Sequence, residues 1–201
     1  MHNRYNGYKA YDYLEDYSTF ELSSGDKRVP EYLIPLTEEQ EKRAEELLKN
    51  NIMAGLHDHI DLWPENLKRD MPMYMKGRRG IGFEQIARSN YDLLIEGLGG
   101  PLSKACSPVG AKWEDCLYDI GLRACDVAHQ DLLIQCRTID DIYRAKENGQ
   151  IAWIMGMEDA MCIENELDRL DILYGFGLRC IGITYATSNT LGCGGEDRYD
   201  Y

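Results

Sequence analysis

The chain has 201 residues, of which 44% are hydrophobic, and this is enough for one domain with a buried core. Its formal net charge of −13 argues against a nucleic-acid partner or an anionic membrane surface, because both are bound through basic residues. The polar, tyrosine-rich start of the chain predicts no signal peptide, and no apolar run reaches the roughly 18 residues of a membrane span. Seven cysteines without paired or zinc-knuckle spacing predict free thiols, so we expect a reduced, cytoplasmic protein.

The first 36 residues show no sustained hydrophobic period and predict an irregular arm, followed by one domain over residues 37–201. Thr37 is expected to cap the first helix, and Gln40 three residues later completes a capping box. Good helix formers continue from there to Lys49.

An apolar run after this helix predicts a buried strand that ends in four potential metal ligands, His57, Asp58, His59 and Asp61. Because alternate side chains of a strand share a face, His57, His59 and Asp61 are expected to point the same way. Imidazoles and a carboxylate that converge suit zinc or a similar divalent ion. A solvated polar strand end is the alternative, but two histidines and two aspartates within five residues favour a metal site.

The middle of the chain gives weaker signals. The predicted elements are a surface loop over residues 68–79, a helix within 83–94, a strand over 93–97 and a turn over 97–101. Apolar residues then recur at spacings of three and four between positions 111 and 136, which predicts one long amphipathic helix. His129 within this helix is interpreted as a packed or surface histidine.

The last part of the chain alternates strands and helices. Thr138 caps a helix with Asp141 at the box position, and a fully apolar strand over residues 151–157 runs into Glu158. A helix over 164–174 and a strand over 179–184 follow, and the strand ends at Tyr185. Apolar strands joined by helices predict an α/β fold with a parallel sheet.

Polar residues therefore stand at the carboxyl ends of three apolar strands, where a (β/α)8 barrel carries its active site. These residues are His59 and Asp61, Glu158, and Tyr185. Glu158 from a second strand could bridge two metal ions and help to make hydroxide from bound water. The alternative for Glu158 is a carboxylate placed favourably at a helix N-terminus.

Four short segments resemble the membrane (renal) dipeptidase family of zinc peptidases, which belongs to the metal-dependent amidohydrolase barrels. The segments are His59-Ile60-Asp61-Leu62, Gly156-Met157-Glu158, Gly177-Leu178-Arg179 leading to Thr184-Tyr185, and Asn189-Thr190-Leu191-Gly192. They occur in the family's order, and the likeness covers about residues 50–201. The resemblance implies a partial (β/α)8 TIM barrel of the amidohydrolase type.

The resemblance also implies a site with two zinc ions, in which His59 and Asp61 bind one ion and Glu158 bridges both. A bridging hydroxide would then hydrolyse a dipeptide, often one with a D-residue at its C-terminal side. Tyr185 falls where mammalian members carry a substrate-contacting histidine, and the turn after Gly97 falls where the family has a glycine-rich segment near the substrate.

Two departures from the family pattern stand out. His57-Asp58-His59 also matches the His-x-His motif of other amidohydrolases, which would make His57 a ligand. Family members supply two further histidine ligands and an acidic residue from later strands, and nothing follows Tyr201 here. A full barrel takes about 250 residues. We therefore expect the N-terminal half of a barrel, either a truncated chain, which is the preferred interpretation, or a homodimer whose two chains complete each other.

Two other functions stay open from the sequence. The first is a different amidohydrolase that uses His57 and His59 on a cyclic amide or ester. The second is a non-catalytic half-barrel that serves binding or assembly.

Overall fold

The computed structural model describes residues 4–10, 21–23, 32–74, 80–98 and 112–198. The helices are α1 (Glu38–Asn50), α2 (Leu67–Tyr74), α3 (Phe83–Arg88), α4 (Trp113–Ala128), α5 (Ile139–Glu147) and α6 (Asp168–Phe176), with a short 3-10 helix at Met161–Ile163. The strands are β1 (Ala54–Asp58), β2 (Asp61–Leu62), β3 (Gly80–Ile81), β4 (Leu93–Leu98), β5 (Leu133–Gln135), β6 (Ile151–Met157) and β7 (Leu178–Ile181). None of the helices in these ranges combines the length and apolarity that a membrane span requires.

The main sheet is parallel and has β6 at its centre. β1 pairs with β4 and β4 pairs with β6, while the other edge of β6 pairs with β5 along its first half and with β7 along its second half. The strands β1, β4, β6 and β7 thus lie side by side in the order of the chain, as the strands of a (β/α)8 barrel do, while β5 shares one edge of β6 with β7. The predicted α/β fold with a parallel sheet is confirmed, and the sheet corresponds to part of such a barrel.

The burial of β6 agrees with its position at the centre of the main sheet. All seven of its residues are apolar or glycine, and all but Ile154 are buried. A strand covered on both faces cannot alternate polar and apolar residues, and that is why this stretch reads as a continuous hydrophobic run.

The two predicted capping boxes are present. Gln40 N–H donates to Thr37 Oγ1 at 3.3 Å and Thr37 N–H donates to Gln40 Oε1 at 2.9 Å. At α5, Asp141 accepts the N–H groups of Thr138 and Arg137. The backbone hydrogen bond from Arg137, with those from Thr138, lowers the pKa of Asp141 to about 2.

The predicted long helix over 111–136 is wrong at its C-terminal end, since α4 stops at Ala128 and β5 follows. The Gln130 side chain explains the stop. Its amide donates to Val127 O at 2.6 Å and to Leu133 O at 2.8 Å, and it accepts Leu133 N–H at 2.7 Å. These bonds satisfy backbone groups in a turn, so the helix does not continue. His129 is the C-cap residue, and its ring lies 2.7 Å from Cys125 O.

Several smaller boundaries also differ from the sequence predictions. The strand predicted over 179–184 is β7, and it ends at Ile181. Part of the predicted loop over 68–79 is helix α2. The side chain of Asn66 accepts Arg69 N–H at 3.0 Å at the start of this helix. The helix within 83–94 ends at Arg88. The last helix begins at Asp168 and not at 164, because Glu164 has a φ of +54° that no helix accommodates.

Several predictions fall partly outside the described ranges. Most of the N-terminal arm and the turn after Leu98 lie there, as does the end of the predicted loop over 68–79. The boundary between arm and domain at residue 37 stays a prediction. Within the described part of the arm, Tyr8 packs edge-on against Phe83 with ring centroids 5.2 Å apart.

Lys146 of α5 connects three elements at the amino-terminal end of the sheet. Lys146 Nζ donates to Asp92 Oδ2 at 2.6 Å and to Asn51 O at 2.7 Å, and Asp92 also accepts Met53 N–H at 2.9 Å. The ion pair is largely buried, with the side chains of Lys146 and Asp92 25% and 10% exposed. It therefore joins α5 to the starts of β1 and β4.

We expect Lys146→Met to lower the free energy of unfolding by about 2 kcal/mol, between the values for exposed and fully buried ion pairs. The physical reason is that Asp92 stays behind as a largely buried carboxylate without its cation. Urea unfolding followed by circular dichroism measures the change. Lys42→Met on the exposed face of α1 is the control, and an equal loss in both variants would contradict the assigned role of Lys146.

Candidate metal centre

Two histidines converge on one buried carboxylate at the carboxyl end of the sheet. Glu158 directly follows β6, and its side chain is only 3% exposed. His57 Nε2 lies 2.8 Å and His59 Nε2 lies 3.0 Å from the same oxygen, Glu158 Oε1. One ligand atom from each of the three residues lies within 4.8 Å of the others, which is a spacing that a single metal ion can bridge.

A glycine makes this convergence sterically possible. The parallel register sets Gly97 of β4 opposite Gly156 of β6, beside the start of the Glu158 side chain. A Cβ atom at Gly97 would lie 2.8 Å from Glu158 Cγ and 2.9 Å from His57 Cε1. Both distances are shorter than van der Waals contact allows, so the two ligand side chains occupy the space that a larger residue would fill.

The donor set fits a divalent cation. Within the described ranges, Glu158 Oε2 is buried and has no hydrogen-bond partner, although a buried carboxylate oxygen normally has one. Two imidazole nitrogens and a carboxylate are ligands that zinc accepts.

Asp61, which the resemblance assigns to the metal, does not join this group. Its Oδ2 accepts the Tyr74 hydroxyl at 2.7 Å, and its Oδ1 lies 3.4 Å from Arg123 Nη2. The expectation that His57, His59 and Asp61 share one strand face fails because β1 ends at Asp58 and Asp61 belongs to β2. The role of Asp61 as a ligand stays a prediction.

Arg123 is the centre of a buried polar network behind the metal group. Its Nε lies 2.8 Å from Glu96 Oε1, and Glu96 Oε2 accepts the Trp153 indole N–H at 2.6 Å. Burial raises the pKa of Glu96 to about 7, against the opposing effect of the Arg123 charge. Burial by itself lowers the pKa of Arg123, but Glu96 and Asp61 outweigh it and raise that pKa above its ordinary value.

Tyr185, the predicted substrate-binding residue, lies in the segment after β7, and its side chain is 43% exposed. This segment is fixed against the metal group by Gly182, whose N–H donates to Met157 O at 2.7 Å. A Cβ at Gly182 would lie 2.2 Å from Glu158 O, so the backbone of this segment packs directly on Glu158. The contact of Tyr185 with a substrate stays a prediction.

The sequence holds signals for Arg123 and Glu96, two residues that are not among the predicted site residues. Arg123 is spaced with Cys116, Ile120 and Val127 at intervals of four, three and four, which places a charge on the apolar face of α4. Glu96 interrupts an otherwise apolar strand. A charge in each of two buried faces indicates a buried ion pair.

We expect Gly97→Ala to lower the affinity of the chain for zinc by roughly tenfold or more, as displacement of ligand side chains generally does. The added methyl group would push Glu158 and His57 apart. Competition with a chromophoric chelator measures the affinity. Gly121→Ala in α4 is the matched control, because a Cβ there meets nothing within 4 Å. An unchanged affinity in Gly97→Ala would contradict the steric argument.

Comparisons with known proteins agree with this fold. The structure is similar to an amidohydrolase from Pseudomonas aeruginosa, with a TM-score of 0.53 and 21% identity over 77% of this chain and 40% of that one. It is also similar to the probable dipeptidase PvdM from Pseudomonas aeruginosa, with a TM-score of 0.55 and 15% identity over 76% of this chain and 39% of that one. The chain thus spans about 40% of the length of these structures. No curated protein matches it.

The sequence pattern of the membrane dipeptidases, peptidase family M19, matches residues 117–200. This stretch contains Glu158 and Tyr185, two of the residues on which the resemblance was based. The family match and the shared fold agree with that resemblance, and over residues 117–200 the chain is similar to the membrane dipeptidases.

Proposed function

We propose that this chain contributes to a metal-dependent dipeptidase, with Glu158 as the central residue of its metal site. The observation that carries the proposal is the convergence of two imidazole nitrogens on one buried oxygen of Glu158. The match to the membrane dipeptidase family over the segment that contains Glu158 supports the choice of reaction.

Zinc is the proposed metal, with two ions in a complete site, and a bound zinc ion supplies a Lewis acid that lowers the pKa of coordinated water. His59 and Glu158 hold it, and Asp61 is the further ligand that the resemblance adds. The buried Glu158 carboxylate supplies a negative charge, and the backbone of Glu158 is packed directly against Gly182. A dipeptide is the proposed substrate, and the Tyr185 hydroxyl would donate a hydrogen bond to it.

The first test measures zinc bound per chain after chelator treatment and reconstitution. We expect wild-type protein to bind zinc, and His59→Ala and Glu158→Gln each to weaken binding by roughly tenfold or more. His129→Ala is the matched control, because His129 contacts Cys125 and lies outside the metal group. Wild-type protein that binds no zinc, or site variants that bind it as wild type does, would contradict the proposal.

The second test addresses the reaction. The zinc-loaded chain is incubated with dipeptides that carry an L- or a D-residue at the C-terminal side, and product is followed by chromatography. We expect dipeptide hydrolysis when the remaining ligands are supplied, by the rest of a barrel or by a second chain, and we expect Glu158→Gln to abolish it; the truncated chain alone is expected to be inactive. Hydrolysis that persists in Glu158→Gln would mean that the activity does not come from this site.

A second candidate function is an amidohydrolase that acts on a cyclic amide or ester. The contact of His57 with Glu158 favours it, because it is the arrangement that the His-x-His motif of such enzymes would give. Side-by-side assays of dipeptides, lactones and cyclic amides separate the two functions.

A further inference from the structure

We propose that Cys116 and Cys162 are a redox-active thiol pair, which hydrogen peroxide oxidises to a disulfide between α4 and the segment that follows Glu158. These thiols lie outside the metal group and take no part in the proposed hydrolysis. The proposal depends on the meeting of two elements at these thiols, on the difference between the thiols, and on the way the Cys162 segment is held.

The two cysteines come from elements that pack against each other. Cys116 lies in the first turn of α4, and Cys162 is the middle residue of the 3-10 helix at 161–163, which contacts α4. Both residues belong to the same hydrophobic core, and each is only 1% exposed. Cys116 Sγ also lies 3.9 Å from Sδ of Met157, the last residue of β6. The pair therefore stands where α4 meets the chain that leaves β6.

The two thiols share a hydrogen bond that makes them unequal. The Cys116 thiol donates to Cys162, and this bond raises the pKa of Cys116 and lowers the pKa of Cys162. Burial and Asp159 oppose the lowering of the Cys162 pKa, while the charge of Arg169 adds to it. The thiolate is the nucleophilic form of a cysteine. Cys162 is therefore the attacking thiol and Cys116 the resolving thiol, as in redox-sensing cysteine pairs.

The oxidation transfers two electrons to hydrogen peroxide. The Cys162 thiolate attacks one peroxide oxygen, the O–O bond breaks, and a sulfenic acid forms while the hydroxide that leaves takes up the thiol proton as water. The Cys116 sulfur then attacks the Cys162 sulfur, the S–O bond breaks, and the second water forms with the Cys116 proton. Two thiols and one peroxide thus give one disulfide and two waters.

Peroxide reaches the buried pair when the Cys162 segment opens locally. The 3-10 helix has three residues and is followed by Glu164, whose φ of +54° is uncommon for a residue with a side chain. Arg169 holds the segment, since its Nη1 donates to Cys162 O at 2.9 Å and its guanidinium lies 5.0 Å from the ring centroid of Trp113 in α4. These contacts can open while the main sheet stays intact, because local openings cost less than global unfolding.

The main test treats the protein with hydrogen peroxide in the presence of a metal chelator, then alkylates the remaining thiols and digests with trypsin. Trypsin places Cys116 in peptide 113–123 and Cys162 in peptide 147–169, and each peptide holds a single cysteine. We expect mass spectrometry to find these two peptides linked and dithiothreitol to separate them. We also expect the thermal unfolding midpoint to rise by about 5 °C or more, because the disulfide restricts the unfolded chain.

Cys136→Ser is the matched control for the serine variants of the pair. Cys136 is also fully buried, but its thiol donates to Ile134 O, and burial raises its pKa to about 11. We expect Cys136→Ser to form the linked peptides as wild type does. Cys116→Ser and Cys162→Ser are each expected to abolish both the link and the rise in the unfolding midpoint.

Trapping with dimedone, which reacts with sulfenic acids, tests the roles of the two thiols. In Cys116→Ser the sulfenic acid of Cys162 has no resolving thiol, so we expect a dimedone adduct on peptide 147–169. In Cys162→Ser the attacking thiol is missing, and we expect the adduct on peptide 113–123 to be roughly tenfold weaker. Adducts of equal yield in the two variants would overturn the assigned roles.

Two results in the wild-type protein would overturn the proposal as a whole. The first is that peptides 113–123 and 147–169 stay unlinked after peroxide treatment, whether alkylated or singly oxidised. The second is that either cysteine links to an exposed cysteine such as Cys180 as often as to its partner. Both results are read from the wild-type chain, so they remain decisive if a serine variant fails to fold.

Discussion

The arrangement of this site depends on one constraint, the close parallel packing of β4 against β6. The register sets two glycines, Gly97 and Gly156, side by side just before the carboxyl ends of the strands. A Cβ at Gly156 would lie 2.8 Å from Glu96 O, so this part of the sheet accepts no side chain from either strand on that face. The Glu158 side chain bends into the space left open and meets His57 from β1. With a side chain in place of Gly97, Glu158 and His57 would lie further apart.

Because of the same packing, the buried Glu158 carboxylate needs a hydrogen-bond donor or a cation beside it. A carboxylate that is almost fully buried loses its hydration, and such a group is stable only with hydrogen bonds or a cation nearby. Glu158 has two imidazole nitrogens against one oxygen, and its other oxygen has no hydrogen-bond partner within the described ranges. A divalent ion would serve both oxygens and both nitrogens at once. The geometry of the strands and the chemistry of the ligands therefore favour the same occupant.

Much of the fold could be predicted from the sequence because its signals are local. The capping boxes at Thr37 and Thr138 and the apolar run of β6 depend on residues within one turn or one strand, and all three are confirmed. The end of α4 could not be read in this way. It depends on the Gln130 side chain, which competes for backbone groups of Val127 and Leu133, while the apolar spacing continues beyond it.

The predictions for the site can be sorted in the same way, into those that depend on local sequence and those that depend on distant residues. His57 lies in β1 and His59 directly follows that strand, and the place of Glu158 follows from the end of an apolar strand. The position of Asp61 depends on Tyr74 and Arg123, which are 13 and 62 residues away in the chain. A pattern of four ligands within five residues contains no information about such distant partners.

The two faces of β4 show how one sheet can keep two sets of charges apart. Glu96 and Gly97 are neighbours in sequence, yet one lies in a network that compensates a buried guanidinium and the other opens the space for a metal group. On the first face the guanidinium of Arg123 lies beside both Glu96 and Asp61, and burial raises the pKa of Glu96 to about 7. On the second face, Glu158 contacts the imidazoles of His57 and His59. Imidazoles are neutral when they ligate a metal, so a bound ion would balance the negative charge of Glu158. Strand alternation and the position of Arg123 therefore keep Glu96 and Glu158 in separate groups.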